Sequence, residues 1–422
     1  MASDAGVDLG GENRLPSPVA RPRAAGMAGL EAVLAAQPER LSGPITDQAP
    51  ATIAIDAGPA GRWVLRVDRD GRMLRALGTA RHPQVTIRAD PDTLVAVLSG
   101  RESGVAAFLD GRLLVRGSLG LALLVEGALA RATRPARFPR PATVAAHGIR
   151  TPYLHAGPPD APVVVALHGL GATNASLLPT VWELAADHRV IAPDLPGFGI
   201  ADKPIASYSP EWFGRWLEEF CDAMGLDSFF LLGNSLGGRI AIEGGLRMPD
   251  RVRGLVLLTP SPAFRKLRQF VPLVRLLRPE LAILPLPLGR AAAVAGLRRM
   301  FAVPDRLPRS WYDAGVDEFL RVMRAPRGRI AFFSAMRQIY LEEAFGARGF
   351  WDRLPGLRPP ALFVWGDHDR LVPHGFGRHV VNALPGCRSV VMRNCGHVPQ
   401  FELPEETHRL VRAFLAEVAA GG

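Results

Sequence analysis

The chain has 422 residues, too many for one ordinary hydrophobic core, and its 48% hydrophobic content excludes a disordered or fibrous class. Three cysteines, Cys221, Cys387 and Cys395, form no C-x-x-C pair, which excludes a disulfide framework and a cysteine metal site and fits a reducing, cytoplasmic compartment. The formal net charge is +10, with lysine only at Lys203 and Lys266. No aromatic-interleaved basic block accompanies it, so nucleic acid is not the expected partner, while anionic lipid surfaces or acidic substrates are.

Residues 1–26 are rich in Gly, Pro, Ala and charge, have no apolar run of signal-peptide length, and are expected to be a disordered leader. Arg62–Val67 then alternates, Asp68-Arg69-Asp70-Gly71 turns the chain, and Val85–Ala89 alternates again, as in half-buried strands. Asp90-Pro91-Asp92 opens a predicted helix over Thr93–Ser99 that Gly100 ends. A second helix is predicted over Gly104–Leu109, a strand over Gly111–Gly117 and an apolar helix over Leu119–Leu129. Together these elements make a small α+β domain over residues 27–132.

Three blocks of that domain, Pro83–Arg88, Leu98-Ser99-Gly100-Arg101 and Gly111-Arg112-Leu113 through Gly117-Ser118-Leu119-Gly120, resemble the sterol carrier protein family over roughly residues 28–132. The resemblance implies lipid binding in a diffuse apolar tunnel and assigns no individual binding residue. Arg131–Pro141 follows, and its prolines and arginines predict an extended linker over 133–141.

From residue 142 the pattern becomes strand and helix alternation, and its motifs lie at strand ends. Val163–Leu167 runs into His168-Gly169-Leu170-Gly171. Asp194 heads the turn Asp194-Leu195-Pro196-Gly197-Phe198-Gly199, where it is expected to hydrogen-bond backbone. The apolar strand Phe229–Leu232 leads into Gly233-Asn234-Ser235-Leu236-Gly237-Gly238, a G-x-S-x-G pattern between strand and helix. Such a turn strains the serine backbone and needs glycines two residues to either side. Serine is a weak nucleophile that requires a base, and the base requires an orienting acid. Both follow along the chain: Ala361–Gly366 ends in Asp367-His368-Asp369, and Ser389–Met392 leads to Gly396-His397.

These blocks resemble the α/β-hydrolase family over residues 142–418. The resemblance implies an α/β-hydrolase sheet, preceded by the α+β domain, with Ser235 as nucleophile, His397 as base and Asp369 as acid, Asp367 being the fallback. It places the oxyanion donors at the backbone N–H groups of Leu170 and Leu236. Leu257-Leu258-Thr259-Pro260, where some relatives carry the acid, has no carboxylate. His168 is expected to brace its loop, His368 to be a surface neighbour of the acids, and Asn234 to hold the elbow or touch substrate.

The segment from about 261 to 346 interrupts the alternation and is expected to be a helical cap. Its apolar and basic stretch Phe270–Leu277, with Arg265, Lys266 and Arg268, suits packing on the core, gripping an acyl chain or lying on a membrane. The most apolar stretches, Leu119–Ala130 and Leu281–Leu297, are too short or too interrupted to span a bilayer. The expected activity is hydrolysis of an ester or thioester of an apolar, lipid-like substrate through an acyl-enzyme, with no cofactor and no metal. Two other readings come from the same motifs. Gly233-Asn234-Ser235 resembles the carbon–carbon hydrolases of meta-cleavage products, although their H-G-G-G-P-G loop is absent. A non-enzymatic lipid-binding or transfer protein is the other.

Overall fold

The computed structural model describes residues 23–129, 135–263, 271–276, 278–284 and 288–421. The first 22 residues of the expected leader lie outside the described residues, but its last four belong to helix α1 (Arg23–Ala35). There follow β1 (Ala51–Asp56), β2 (Arg62–Val67), β3 (Met73–Leu77), β4 (Val85–Arg88), α2 (Pro91–Leu98), α3 (Gly104–Leu109), β5 (Leu114–Gly117) and α4 (Leu119–Leu129). The strands form one sheet in the order β3-β2-β1-β4-β5, with β1 and β4 parallel and the other pairs antiparallel.

Local chemistry sets these boundaries. Helix α2 starts at Pro91 because Asp90 caps it, accepting from the Thr93 N–H at 2.9 Å. Ser103 does the same for α3, accepting from the Val105 N–H at 3.2 Å. Strand β5 is shorter than the Gly111–Gly117 expected, because Gly111, Arg112 and Leu113 are spent closing α3 with hydrogen bonds to Phe108 and Ala107 carbonyls.

The second sheet contains β6 (Arg140–Ala146), β7 (Ile149–Ala156), β8 (Val163–Leu167), β9 (Arg189–Pro193), β10 (Phe229–Asn234), β11 (Val252–Leu258), β12 (Ala361–Gly366) and β13 (Arg388–Met392). Its order is β6-β7-β9-β8-β10-β11-β12-β13, and it is parallel from β9 to β13. Arg140 and Pro141, placed in the linker from sequence, are the first residues of the edge strand β6, where a missing N–H is tolerated. Strands β10 and β12 are buried along their whole length, as parallel strands covered on both faces must be.

The helices around that sheet are α5 (Leu178–Leu184), α6 (Pro210–Ala223) and α7 (Leu236–Arg247). Between β11 and β12 the chain leaves the sheet to form α8 (Val271–Leu276), α9 (Arg290–Arg298), α10 (Arg309–Arg324) and α11 (Pro326–Leu341), followed by α12 (Phe350–Arg353). Helices α13 (Phe376–Ala383), α14 (Pro399–Glu402) and α15 (Pro404–Gly421) complete it. Strands β8 and β10 are neighbours, so the loops leaving their carboxyl ends meet at one point.

The two sheets share one continuous apolar cluster, which joins Leu94, Phe108 and Leu123 of the first unit to Leu178, Val181 and Leu184 of α5. Polar contacts reinforce the junction through α10. Asp317 Oδ2 accepts from Arg116 Nε at 2.8 Å and from the Gly117 N–H at 2.9 Å. Glu318 Oε1 accepts from the N–H groups of Leu119 and Gly120, which open α4. Trp311 stacks on Phe108 at 6.2 Å and donates its indole N–H to the Phe108 carbonyl at 3.2 Å.

Candidate active site

Ser235 stands between β10 and α7 with φ 55° and ψ −115°, the left-handed region that L residues avoid. Its glycines explain how the turn closes. A Cβ at Gly233 would lie 2.3 Å from the Gly237 backbone, and one at Gly237 would lie 2.2 Å from the Leu167 carbonyl oxygen. The strain is held by hydrogen bonds on both sides: the Ser235 N–H donates to Leu258 O at 3.0 Å, and Ser235 O accepts from the Arg239 and Ser261 N–H groups at 3.1 Å.

His397 is 2% exposed, and its Nδ1 lies 2.7 Å from Asp369 Oδ2. The other oxygen of Asp369 accepts from the N–H groups of Leu371 and Val372 at 2.8 and 2.9 Å, so the carboxylate is fixed in plane and orientation. With Nδ1–H donating to Asp369, Nε2 is the nitrogen left for a reacting hydroxyl. Asp367 goes elsewhere: its Oδ1 meets the exposed His368 at 2.6 Å and accepts from the Cys395 N–H at 3.1 Å. The geometry therefore pairs Asp369, not Asp367, with His397.

Asn234 and Thr259 carry a role that the motif alone did not disclose. Asn234 Nδ2 donates to Leu258 O, Thr259 Oγ1 and His397 O at 3.0–3.1 Å, and Thr259 Oγ1 donates to His397 O at 2.8 Å. Thus the residue before Ser235 and the end of β11 both grip the His397 backbone. Thr259 fills the strand end where a carboxylate was looked for, and it holds the histidine loop there.

The cap touches the same loop. The His397 N–H donates to Met300 O at 2.6 Å. Glu402 accepts from the Gly396 N–H at 2.6 Å and from the Val303 N–H at 2.7 Å, bridging the loop to the chain after α9. Glu402 is 1% exposed, and no spacing in the sequence singled it out.

Gly169 lies against the elbow: a Cβ there would be 3.4 Å from Ser235 Cβ. The next N–H is that of Leu170. The N–H of Leu236 opens α7, where first-turn donors have no partner within the helix. Above this loop, a Cβ at Gly171 would lie 2.9 Å from the Phe332 ring and 3.3 Å from the Phe319 ring. Phe319 and Phe332 meet edge to face at 5.9 Å, giving this loop an aromatic ceiling.

The supporting groups are neutral or paired. His168 Nδ1 donates to Gly169 O at 2.8 Å and Nε2 accepts from the Leu195 N–H at 2.9 Å; burial lowers its pKa to about 4. Asp194 accepts from the Asn174 and Ile200 N–H groups at 2.8 Å, and burial raises its pKa to about 6. Arg239, one turn after Ser235, is bound by Glu342 at 2.9 Å and Glu243 at 3.3 Å. Burial pushes the Cys395 thiol far above its ordinary range, so it is no thiolate nucleophile. Among the described residues no group of three or more His, Cys, Asp or Glu is placed to hold a metal ion.

A second feature lies in the first unit. A small apolar cavity of about 40 Å³ lies there, lined by Ile55, Leu94, Val97, Phe108, Val115 and Leu123. Leu178 of α5 contributes to its wall, and Glu126 lies at its edge with Oε1 accepting from the Gly104 N–H at 3.0 Å.

Residues 162–404 match the family model of the alpha/beta hydrolase fold, and residues 30–130 match that of the SCP-2 sterol transfer family. The chain belongs to the alpha/beta hydrolase fold family and is a hydrolase, carrying an SCP-2 sterol transfer domain ahead of its catalytic fold. It is 31% identical over 271 residues to a 2-hydroxy-6-oxononadienedioate/2-hydroxy-6-oxononatrienedioate hydrolase of Dechloromonas aromatica, covering 60% of this chain and 86% of that one. An uncharacterized protein of Mycobacterium tuberculosis is 25% identical over 306 residues, covering 68% of this chain and 84% of that one. Among solved structures, a membrane phospholipase A described as a bacterial virulence factor matches with TM-score 0.57 and 27% identity, over 75% of this chain and 92% of that one. The enol-lactonase of Burkholderia xenovorans LB400 matches with TM-score 0.55 and 23% identity over 65% of this chain and 99% of that one, a likeness of fold.

Proposed function

We propose that this hydrolase cleaves an ester or thioester of an apolar, lipid-like substrate through an acyl-enzyme on Ser235. The observation that carries the substrate class is the aromatic ceiling of Phe319 and Phe332 over Gly171, beside the loop proposed to bind the oxyanion. An alkyl chain gains by burying methylenes there, at roughly 0.8 kcal/mol each. The cations near the elbow suit that reading: Arg239 is bound by two carboxylates and Arg321 by Glu318, so neither is spare for an acidic substrate. The likeness to a structure named a membrane phospholipase A points the same way.

In this mechanism the Ser235 hydroxyl attacks the carbonyl carbon while His397 Nε2 takes its proton. Asp369 holds the imidazole in the tautomer with Nδ1–H and stabilises the imidazolium that forms. The Leu170 and Leu236 N–H groups donate to the developing oxyanion, each worth roughly 3 kcal/mol in the transition state. His397 returns the proton to the leaving alcohol or thiol. Water activated by His397 then releases the acid and restores Ser235. Asn234 and Thr259 act through His397 by fixing its backbone carbonyl, and Glu402 by holding the N–H of the adjacent Gly396. The SCP-2 sterol transfer domain adds a small apolar cavity beside the catalytic fold.

A second reading, carbon–carbon bond hydrolysis, is favoured by one finding, the 31% identity to a hydrolase named for a 2-hydroxy-6-oxo-dienedioate. Paired assays separate the two. The ester reading expects kcat/KM to rise along a p-nitrophenyl ester series of increasing chain length and to collapse in Ser235→Ala. Turnover of a 2-hydroxy-6-oxo-dienoate with no turnover of esters would favour the second reading.

A further inference from the structure

We infer that the outer face of the cap, made by α8 and the turn Pro279–Ile283, docks on the surface of an anionic lipid bilayer. Neither element has a buried residue. Leu276 is 78% exposed, Leu281 66% and Leu284 65%. A six-residue helix in a water-soluble fold ordinarily forms because one face is buried against a core. Here no face is, and the segment is held by its backbone instead.

Two arginines of α11 do the holding. Arg337 donates to Val274 O at 3.1 Å and to Arg275 O at 2.8 Å. Arg329, 3% exposed, donates to Ala282 O at 2.7 Å and to Ile283 O at 2.6 Å. The two arginines are eight residues apart, about 12 Å along the helix, so they pin both segments side by side. Their guanidinium groups satisfy carbonyls that would resist leaving water, while the leucine side chains point away from the core. The arrangement presents apolar side chains on a backbone of which four carbonyls are already paired.

Charge and composition select the occupant. Within the described residues of this face Arg275 and Arg278 are exposed, with Glu280 the one acid, on a chain of formal net charge +10. Exposed leucines beside arginines are the composition of an interfacial lipid-binding segment. Among the described residues no helix is long and apolar enough to cross a membrane, so contact is with the surface. Helix α11 carries both pinning arginines and Phe332 of the ceiling, so the docked face and that ceiling share one element. The inference is independent of which bond is cut.

The test uses the full chain with Ser235→Ala, so that no lipid is consumed, in flotation with vesicles of phosphatidylcholine and phosphatidylglycerol at two to one, and of phosphatidylcholine alone. The expected result is binding to the anionic vesicles, weaker binding to the neutral ones, and a loss of roughly tenfold or more in Leu276→Ser/Leu281→Ser/Leu284→Ser. These side chains are exposed, so the thermal midpoint of that variant is expected to be unchanged, which separates lost docking from lost fold. Leu74→Ser/Leu77→Ser, on the exposed edge strand β3, is expected to bind as the parent does. No binding to either vesicle, full binding by the cap triple variant, or loss only in the β3 pair would overturn the inference.

Discussion

Ser235 is held at φ 55° by neighbours that leave it no other conformation, and such strain costs about 1–3 kcal/mol. Ser235→Gly removes the conformational penalty along with the hydroxyl. It is expected to raise stability to urea by about 1 kcal/mol while lowering kcat/KM roughly 10⁴-fold or more. A variant that is both inactive and destabilised would show that the backbone there is relaxed. The two neighbouring carboxylates divide similarly. Asp369→Asn is expected to lower kcat roughly 10³–10⁴-fold, because the amide no longer selects the Nδ1–H tautomer. Asp367→Asn is expected to change kcat by less than about threefold, since that side chain faces solvent beside His368. Equal losses in the two, measured by steady-state kinetics, would remove Asp369 from its proposed role. Most of this was readable in the residues, because G-x-S-x-G and the strand-end Asp and His are short motifs whose spacing is set by local backbone geometry. Asn234, Thr259 and Glu402 were not, because they meet His397 only through the fold, across separations of 163, 138 and, from the adjacent Gly396, 6 residues.

Helix α10 joins three parts of the molecule. Trp311 packs on Phe108 of the SCP-2 domain and on Phe401 of α14, and Asp317 and Glu318 receive the N–H groups of Gly117, Leu119 and Gly120. The carboxylates lie at the amino end of α4, where a helix attracts negative charge. Asp317→Asn/Glu318→Gln is expected to lower stability by about 2 kcal/mol, read as a urea midpoint, because buried donors then face weaker acceptors. No change in midpoint would mean that the apolar cluster alone holds the units together. Elements with caps or alternation were readable along the chain: α2 from Asp90-Pro91, α3, β2, β4 and α4. Strand β1 is not legible along the chain because Ala51, Ala54 and the preceding Pro50 dilute its alternation, and only pairing with β2 and β4 defines it. Helix α1 begins at Arg23 inside a stretch whose composition suggested a leader, and it packs on α2, a contact no local pattern encodes.

Across the whole molecule, burial sets how stability depends on pH. His168 and His408 are both lowered by burial to about 4, from an ordinary value of 6.5. A depressed histidine favours the neutral folded form, so its contribution is complete above about pH 6.5 and is lost as pH falls toward about 4. Asp194, raised by burial from 3.8 to about 6, acts in the opposite sense and gains on acidification through that window. Two groups of one sign outweigh one of the other, so the urea midpoint is expected to fall between about pH 7 and about pH 5, with a shallower slope in His408→Gln. A midpoint that holds or rises on acidification would contradict the assignment of those buried neutral histidines. The same long-range packing joins the apolar cavity of the SCP-2 domain to the hydrolase fold, with Leu178 of one unit in the wall of the other. The proposed mechanism requires an acyl group carried by Ser235. Mixing the protein with a long-chain p-nitrophenyl ester, quenching in acid within the first turnover and mapping the peptides by mass tests this directly. The account predicts the acyl mass on the peptide containing Ser235 and its absence in Ser235→Ala; product formed with no adduct on that peptide, or an adduct on another side chain, would contradict it.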